Sequence, residues 1–138
     1  MEKDAVIARI EEDLGRRPEV RRACVEIVDY LSRKDTQKVN RVTFGQLGRI
    51  AGIPEVVDIL PVVEYLSGGR LHLLDPRFEF IDADNDFIEE VSVEEVAQAR
   101  HDAVFYHPGT GEPVKDFERS LFMFFVLSED AHSLGGAQ

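Results

Sequence analysis

A chain of 138 residues has room for one domain, or one domain with an appendage, and its 43% apolar content supports a packed core. No window approaches the roughly 18 apolar residues of a membrane span, and the acidic start MEKDAVIARIEED lacks the apolar run of a signal peptide, so a cytoplasmic protein with no membrane partner is expected. Residues 1–77 hold 13 Lys and Arg against 13 Asp and Glu, whereas 78–138 hold 3 against 14, so the whole net charge of −11 belongs to the second half, which repels phosphate backbones.

Val6, Ile7, Ile10 and Leu14 recur at helical spacing ahead of Gly15, which predicts a helix over 2–14 inside an N-terminal segment 1–17. Pro18 opens a second helix, because proline is tolerated in a first turn. Val20, Cys24, Ile27, Val28 and Leu31 form its apolar stripe, and the polar run SRKDTQKVN closes it. Cys24 lies on that stripe and is expected as a buried small hydrophobe; a single cysteine forms no internal disulfide. RVTF is a short extended segment. Thr43, with Gln46 three residues on, caps a helix over 44–51 that ends at a left-handed Gly52. Pro54 starts a further helix that stops at SGG, Ser67 to Gly69.

RLHLL and RFEFID then have strand character, with Asp75-Pro76 as the expected turn of a two-stranded ribbon between them. DADND is a second turn and FIEEVS a further strand. Ser92 and Glu95 make a capping box for a helix over 93–102. HPGTGEP, residues 107–113, is a loop. In DFERSLFMFFVLSE, length and aromatic content favour a buried strand, whereas Glu118 and Arg119 favour a helix start, and both remain open. The closing SLGGAQ is small and polar and is expected to fray.

Helix, short strand, helix, tight turn, helix and ribbon follow one another in the order of a winged helix. Residues 18–82 resemble a winged helix-turn-helix, with TFGQLGRIAGI matching the usual second helix and turn. The resemblance covers about half the chain and rests on element order and Gly52. It implies an α+β fold: a winged-helix domain over 18–82, followed by a small acidic α/β C-terminal extension over 83–138. It also implies that the third helix enters a major groove and the wing touches backbone, although many members of that superfamily bind only protein.

The third helix departs from the DNA-reading pattern. From Ile53 to Gly69 there is no Lys or Arg, and Glu55, Asp58 and Glu64 are present. On a helical wheel Val56, Ile59, Leu60, Val62, Val63 and Leu66 fall in one arc of about 160°, which should face the core. Val57, Asp58, Pro61, Glu64 and Tyr65 then form the outward face. A groove-reading helix offers Arg, Lys, Asn or Gln to base edges; this face suits another protein. Pro61 is expected to kink or split the helix.

Basic residues lie elsewhere: Arg16, Arg17, Arg21 and Arg22 around the second helix start, and Arg33, Lys34, Lys38 and Arg41 after it. Arg41, Arg49, Arg70 and Arg77 are the candidate nucleic-acid contacts. The remaining chemistry is thin. Asp82, Asp84 and Asp86 have the start of a calcium-loop spacing, but Phe87 stands where Gly is needed and Val93 where Glu is needed. His72, His101, His107 and His132 match no ligand spacing, HPGTGEP lacks the Lys-Ser/Thr of a phosphate loop, and no Ser or Cys sits in a nucleophile-elbow context. No catalytic residue, metal or cofactor is assigned.

LFMFFVL, Leu121 to Leu127, is too apolar to be left in water, and Phe122, Phe124 and Phe125 are the candidate homodimer interface. The reading is of a non-enzymatic adaptor that binds a protein partner through the third helix and the acidic second half. The alternative is a dimeric winged-helix transcriptional regulator that binds DNA through the basic residues of the first half.

Overall fold

A computed structural model describes residues 2–33 and 41–135. Lys34 and Lys38, most of the polar run after the second helix, and the last three residues lie outside the described set. The fold is α+β. Its helices are α1 (Lys3–Asp13), α2 (Pro18–Leu31), α3 (Phe44–Ala51), α4 (Val56–Leu66), α5 (Val93–Asp102) and α6 (Glu129–Gly135). Its strands are β1 (Leu74–Asp82), β2 (Phe87–Val91) and β3 (Leu121–Leu127), in the spatial order β2-β1-β3.

The chain forms two compact units. The first is residues 1–75 together with 125–138; the second is 76–124. In the first unit α2 is the hub, packing against α1, α3, α4 and α6. Its amphipathic pattern explains this role: Ala23, Cys24, Ile27, Val28 and Leu31 are all buried on one side. Burying side chains such as Ile27 and Leu31 contributes about 1.5–3 kcal/mol each before entropy is counted. Burial also pushes the Cys24 thiol up to about 12 and so makes it inert at neutral pH.

Local chemistry places α3. Thr43 Oγ1 accepts from the Gln46 backbone N–H at 3.2 Å, and the Gln46 side chain accepts from the Thr43 N–H at 2.8 Å. Two otherwise unpaired donors of the first turn are thereby satisfied. Gly52, at φ 71°, ends the helix. Gly48 is constrained differently: a Cβ there would stand 2.6 Å from the Ile53 carbonyl oxygen. The turn into α4 therefore closes directly over Gly48. Val42 makes an isolated antiparallel bridge to Phe125, each N–H donating to the other's carbonyl at 2.8 Å.

In the second unit β1 and β2 form an antiparallel hairpin in which Phe78 faces Val91 and Ile81 faces Ile88. The turn between them is a short 3-10 segment, Ala83–Asn85, followed by a left-handed Asp86. One core cluster gathers Phe78, Phe80, Val91, Val96, Ala99, Phe105 and Leu121. Ser92 and Glu95 cap α5 as their spacing implies. Arg100 of α5 makes a two-point pair with Glu118 at 2.9 and 3.0 Å.

Several expectations are corrected. Asp75-Pro76 is not a turn: both residues lie inside the continuous strand β1. Pro76 precedes the first pairing with β2, at Phe78, so its missing N–H removes no bond from that ladder. RLHLL is not a regular strand. A bridge from Ser67 to His72 closes the tight turn after α4, and Leu71, Leu73 and Leu74 are all buried instead of alternating. Pro61 does not split α4, which runs unbroken from Val56 to Leu66. The carbonyl that loses its partner is that of Val57, in the exposed first turn, where water can replace the bond. The open choice at 117–127 resolves into both elements: a 3-10 turn over Phe117–Ser120, then β3. The expected boundary at residue 82 falls at the end of β1, within the second unit. Ser133 to Gly135, expected to fray, close α6.

Candidate interaction face on the fourth helix

The residues expected to meet a partner lie on α4, and the structure divides them. Ile59, Val62, Val63 and Leu66 are buried. Val57 is 69% exposed, and Asp58 and Glu64 are exposed beside it. Pro61 is half-buried. Val56 and Leu60, expected in the core arc, are instead 57% and 39% exposed. The core-facing arc is narrower than the wheel implied: the packing of α4 against α2 and α3 covers Ile59, Val62, Val63 and Leu66 but not Val56 and Leu60. The outward apolar patch is correspondingly larger: Val56, Val57, Leu60 and Pro61, continued by half-buried Ile53 and exposed Pro54.

Tyr65 has a different role from the one expected. Its hydroxyl donates to Asp13 Oδ2 at 2.6 Å, tying α4 to the end of α1. Arg70 clamps the same carboxylate, Nη2 to Oδ1 at 2.7 Å and Nε to Oδ2 at 3.3 Å, and Arg9 donates to the Arg70 carbonyl at 3.0 Å. The Tyr65 hydrogen bond is the main reason the Asp13 carboxyl is held below the usual carboxylate range. The Tyr65 phenol is raised by burial and by that same bond. Tyr65 is a fastener between helices.

Two hollows flank the Gly52-Ile53-Pro54 turn and share its three residues. One, of about 510 Å³, lies between α3 and the start of α4 and is bounded by Phe44, Gly45, Gly48, Arg49 and Val56. The other, of about 580 Å³, is bounded by Glu19, Val20, Arg22, Val57, Asp58 and Pro61. Ile53-Pro54 is thus a ridge between two shallow depressions. Arg22 at its foot pairs with Glu26 at 2.8 Å and donates to the Ala51 carbonyl at 3.2 Å.

Of the candidate nucleic-acid residues, Arg49 borders the start of α4 through the first hollow. Arg70 is engaged with Asp13, and Arg77, in the second unit, pairs with Glu90 at 2.9 Å. Arg41 and Arg49 are exposed at either end of the α3 region. The candidate dimer residues also divide. Phe125 is fully buried and meets the Phe44 ring edge-on at 5.2 Å, and Phe124 is buried; both are interior to the chain, which corrects their assignment to a subunit interface. Phe122 alone of the three is exposed, at 49%.

The second unit holds a polar cluster that the sequence divided between two loops. His107 Nδ1 accepts from the backbone N–H groups of Gly109 and Thr110 at 2.9 and 3.2 Å. The proton is therefore on Nε2, which donates to Asp82 Oδ2 at 3.0 Å. Asn85 donates to the same oxygen at 2.7 Å and, with His107, lowers the Asp82 carboxyl. Both imidazole nitrogens are engaged, so the ring ties the 107–113 loop to the β1–β2 turn and has no lone pair to offer a substrate. The His107 ring meets Phe80 edge-on at 5.0 Å and lies tilted against Phe87 at 4.7 Å. Among the described residues no group of three or more His, Cys, Asp or Glu could hold a metal ion, and no helix is long and apolar enough to cross a membrane.

Comparison with protein-family models, with curated proteins and with solved structures finds no match.

Proposed function

We propose that the protein is a non-enzymatic interaction module of winged-helix type that presents the outward face of α4 to a protein partner. The observation that carries this is the run of solvent-exposed Val56, Val57 and Leu60 on a helix whose other side is fully packed. Scattered surface hydrophobes need no explanation, but a contiguous apolar patch rimmed by charge marks an interaction site. The helix that would read a major groove carries carboxylates here instead of base-reading donors. The winged-helix reading draws support from the order α2, Val42, α3, α4 and ribbon. In the first unit the ribbon consists of the residues entering β1 and those leaving β3: Ser128 N–H donates to the Leu73 carbonyl at 3.0 Å, and Val42 bridges Phe125. Residues 76–124 form a separate, acidic unit, whose charge disfavours phosphate backbones.

The test is capture of partners from nuclease-treated lysate with wild type and with Val57→Asn/Leu60→Asn. The double variant should fold and lose the captured proteins. Retention of every captured protein, or specific footprinting of a DNA site at physiological salt, overturns the reading.

A further inference from the structure

We infer that the α4 face takes a basic amphipathic helix, with apolar side chains seated in the two hollows either side of Ile53-Pro54 and Lys or Arg along its edges. The inference rests on α4 being a docking face and adds the chemistry of the occupant. The shape comes first. The hollows lie on opposite sides of one ridge and share Gly52, Ile53 and Pro54. Apolar side chains one helical turn apart on a partner can straddle such a ridge, which is the i, i+3, i+4, i+7 reading of a helix in a groove. The floor of the first hollow includes Gly45, where an added Cβ would meet nothing closer than 3.7 Å. That is ordinary contact with the Arg49 and Thr43 side chains, so a larger side chain fits there without displacing backbone.

Charge then selects the partner. Glu55, Asp58 and Glu64 on and beside α4, and Glu19 across the second hollow, have no ion-pair or side-chain hydrogen-bond partner among the described residues. Three other carboxylates of the same unit are paired, Glu26 with Arg22, Asp29 with Lys3 and Asp13 with Arg70, whereas those at the α4 face stand open to a partner's cations. Glu55, Asp58 and Glu19 line the two hollows; of the cations there, Arg22 is engaged with Glu26 and Ala51, which leaves Arg49 against three carboxylates, with Glu64 exposed farther along α4. Asp58, in the first turn of α4, favours the helix dipole; Glu64, in the last, opposes it, so its place is not explained by helix stability. An apolar ridge edged with unpaired acid complements apolar side chains edged with base.

The probe is a designed helical peptide of about 16 residues with a Leu stripe and Lys at its edges, beside a version with Glu for Lys and one with Ser for Leu. Binding to the full chain is read by fluorescence anisotropy at about 0.15 M salt. The Lys peptide should bind, the Ser version should not, and the Glu version should be at least about tenfold weaker. Val57→Asn/Leu60→Asn should weaken the Lys peptide about thirtyfold. Gly45→Leu, which fills the first hollow on an exposed helical position, should weaken it as well. Asp58→Lys should weaken the Lys peptide and strengthen the Glu peptide, whereas Glu94→Lys on α5, with the same change in net charge, should do neither.

Equal binding of the Lys and Glu peptides overturns the inference, as does equal loss with Asp58→Lys and Glu94→Lys, since the peptide would then be sensing only the net charge of −11. If no peptide binds, or the peptides do not discriminate, while lysate capture is still lost in Val57→Asn/Leu60→Asn, the docking face stands and the basic partner is wrong. If neither peptide binding nor capture responds to that variant, both are wrong.

Discussion

Two stretches of the chain are rich in apolar residues, and they meet opposite fates. LFMFFVL becomes β3, in which Leu121, Phe124, Phe125 and Leu127 are buried and Phe122 is exposed. VVDILPVVEYL becomes α4, which buries Ile59, Val62, Val63 and Leu66 and leaves Val56, Val57 and Leu60 in solvent. Sequence reasoning places Val57 outward and Ile59, Val62, Val63 and Leu66 in the core, but it assigns the phenylalanines to a subunit interface and Val56 and Leu60 to the core. Apolar content states how much surface must be covered, not what covers it. A strand has neighbours on its edges and elements on its faces. A helix at the margin of a bundle is packed on one side, and apolar residues beyond that side stay out unless something else binds them.

The most severe way to break this contrast is to cut into the buried stretch. Phe125→Ala removes a fully buried ring from its edge-on contact with Phe44. The cost should be about 3–5 kcal/mol, which is most of the stability of a small domain. Urea denaturation should show a midpoint shifted to much lower concentration, with light scattering of the folded fraction unchanged. A change of oligomeric state without loss of stability would return Phe125 to a subunit interface.

A second test acts on the turn that aims α4. Gly48→Ala places a methyl 2.6 Å from the backbone carbonyl of Ile53, and backbone cannot step aside as a flexible side chain can. Alanine is otherwise the better helix former by roughly 1 kcal/mol. A net loss of about 1–3 kcal/mol is therefore the signature of the close approach. A stabilised Gly48→Ala protein would mean that the α3–α4 turn is looser than described.

How much of this was readable in advance follows the range of the forces involved. Thr43 with Gln46 and Ser92 with Glu95 close their capping boxes within four residues, and both helices begin where those pairs place them. Gly52 is likewise a local requirement. The failures depend on distant partners. Asp75-Pro76 carries strong turn chemistry, yet it is held in a strand whose pairing is set by Val91 and by β3, far along the chain. The outward position of Val56 and Leu60 depends on how many elements reach α4, which periodicity does not encode. Local sequence makes Tyr65 an exposed anchor, because its partner, Asp13, lies 52 positions away. The Asp82–His107 bond, across 25 positions, was invisible for the same reason.

A milder test replaces the exposed stretch. Val57→Asn/Leu60→Asn removes apolar surface that already faces water, so stability in urea should change by no more than about 0.5 kcal/mol per site. Partner capture should nevertheless fall. A large destabilisation would show that the two side chains are covered in solution by the chain itself.

The smallest effect concerns the fastener behind the α4 face. Asp13 has its carboxyl lowered first by the Tyr65 hydrogen bond and then by Arg70. A carboxylate whose folded pKa lies below its unfolded value contributes stability that is fully present above the unfolded value, about 3.9 for Asp. That contribution is lost as pH falls through the folded pKa. Tyr65→Phe keeps the ring and removes the hydroxyl, so it isolates one part of this contribution from the other lowered carboxyls, Asp29, Asp82 and Glu118. The variant should be modestly less stable than wild type at neutral pH, and the gap between their urea midpoints should hold above about pH 5 and narrow as pH falls below about 4. A gap that does not narrow would mean that the hydroxyl acts through packing and not through the Asp13 charge. A partner-binding defect in Tyr65→Phe at neutral pH, with no change in stability, would return Tyr65 to the surface it was first expected to join.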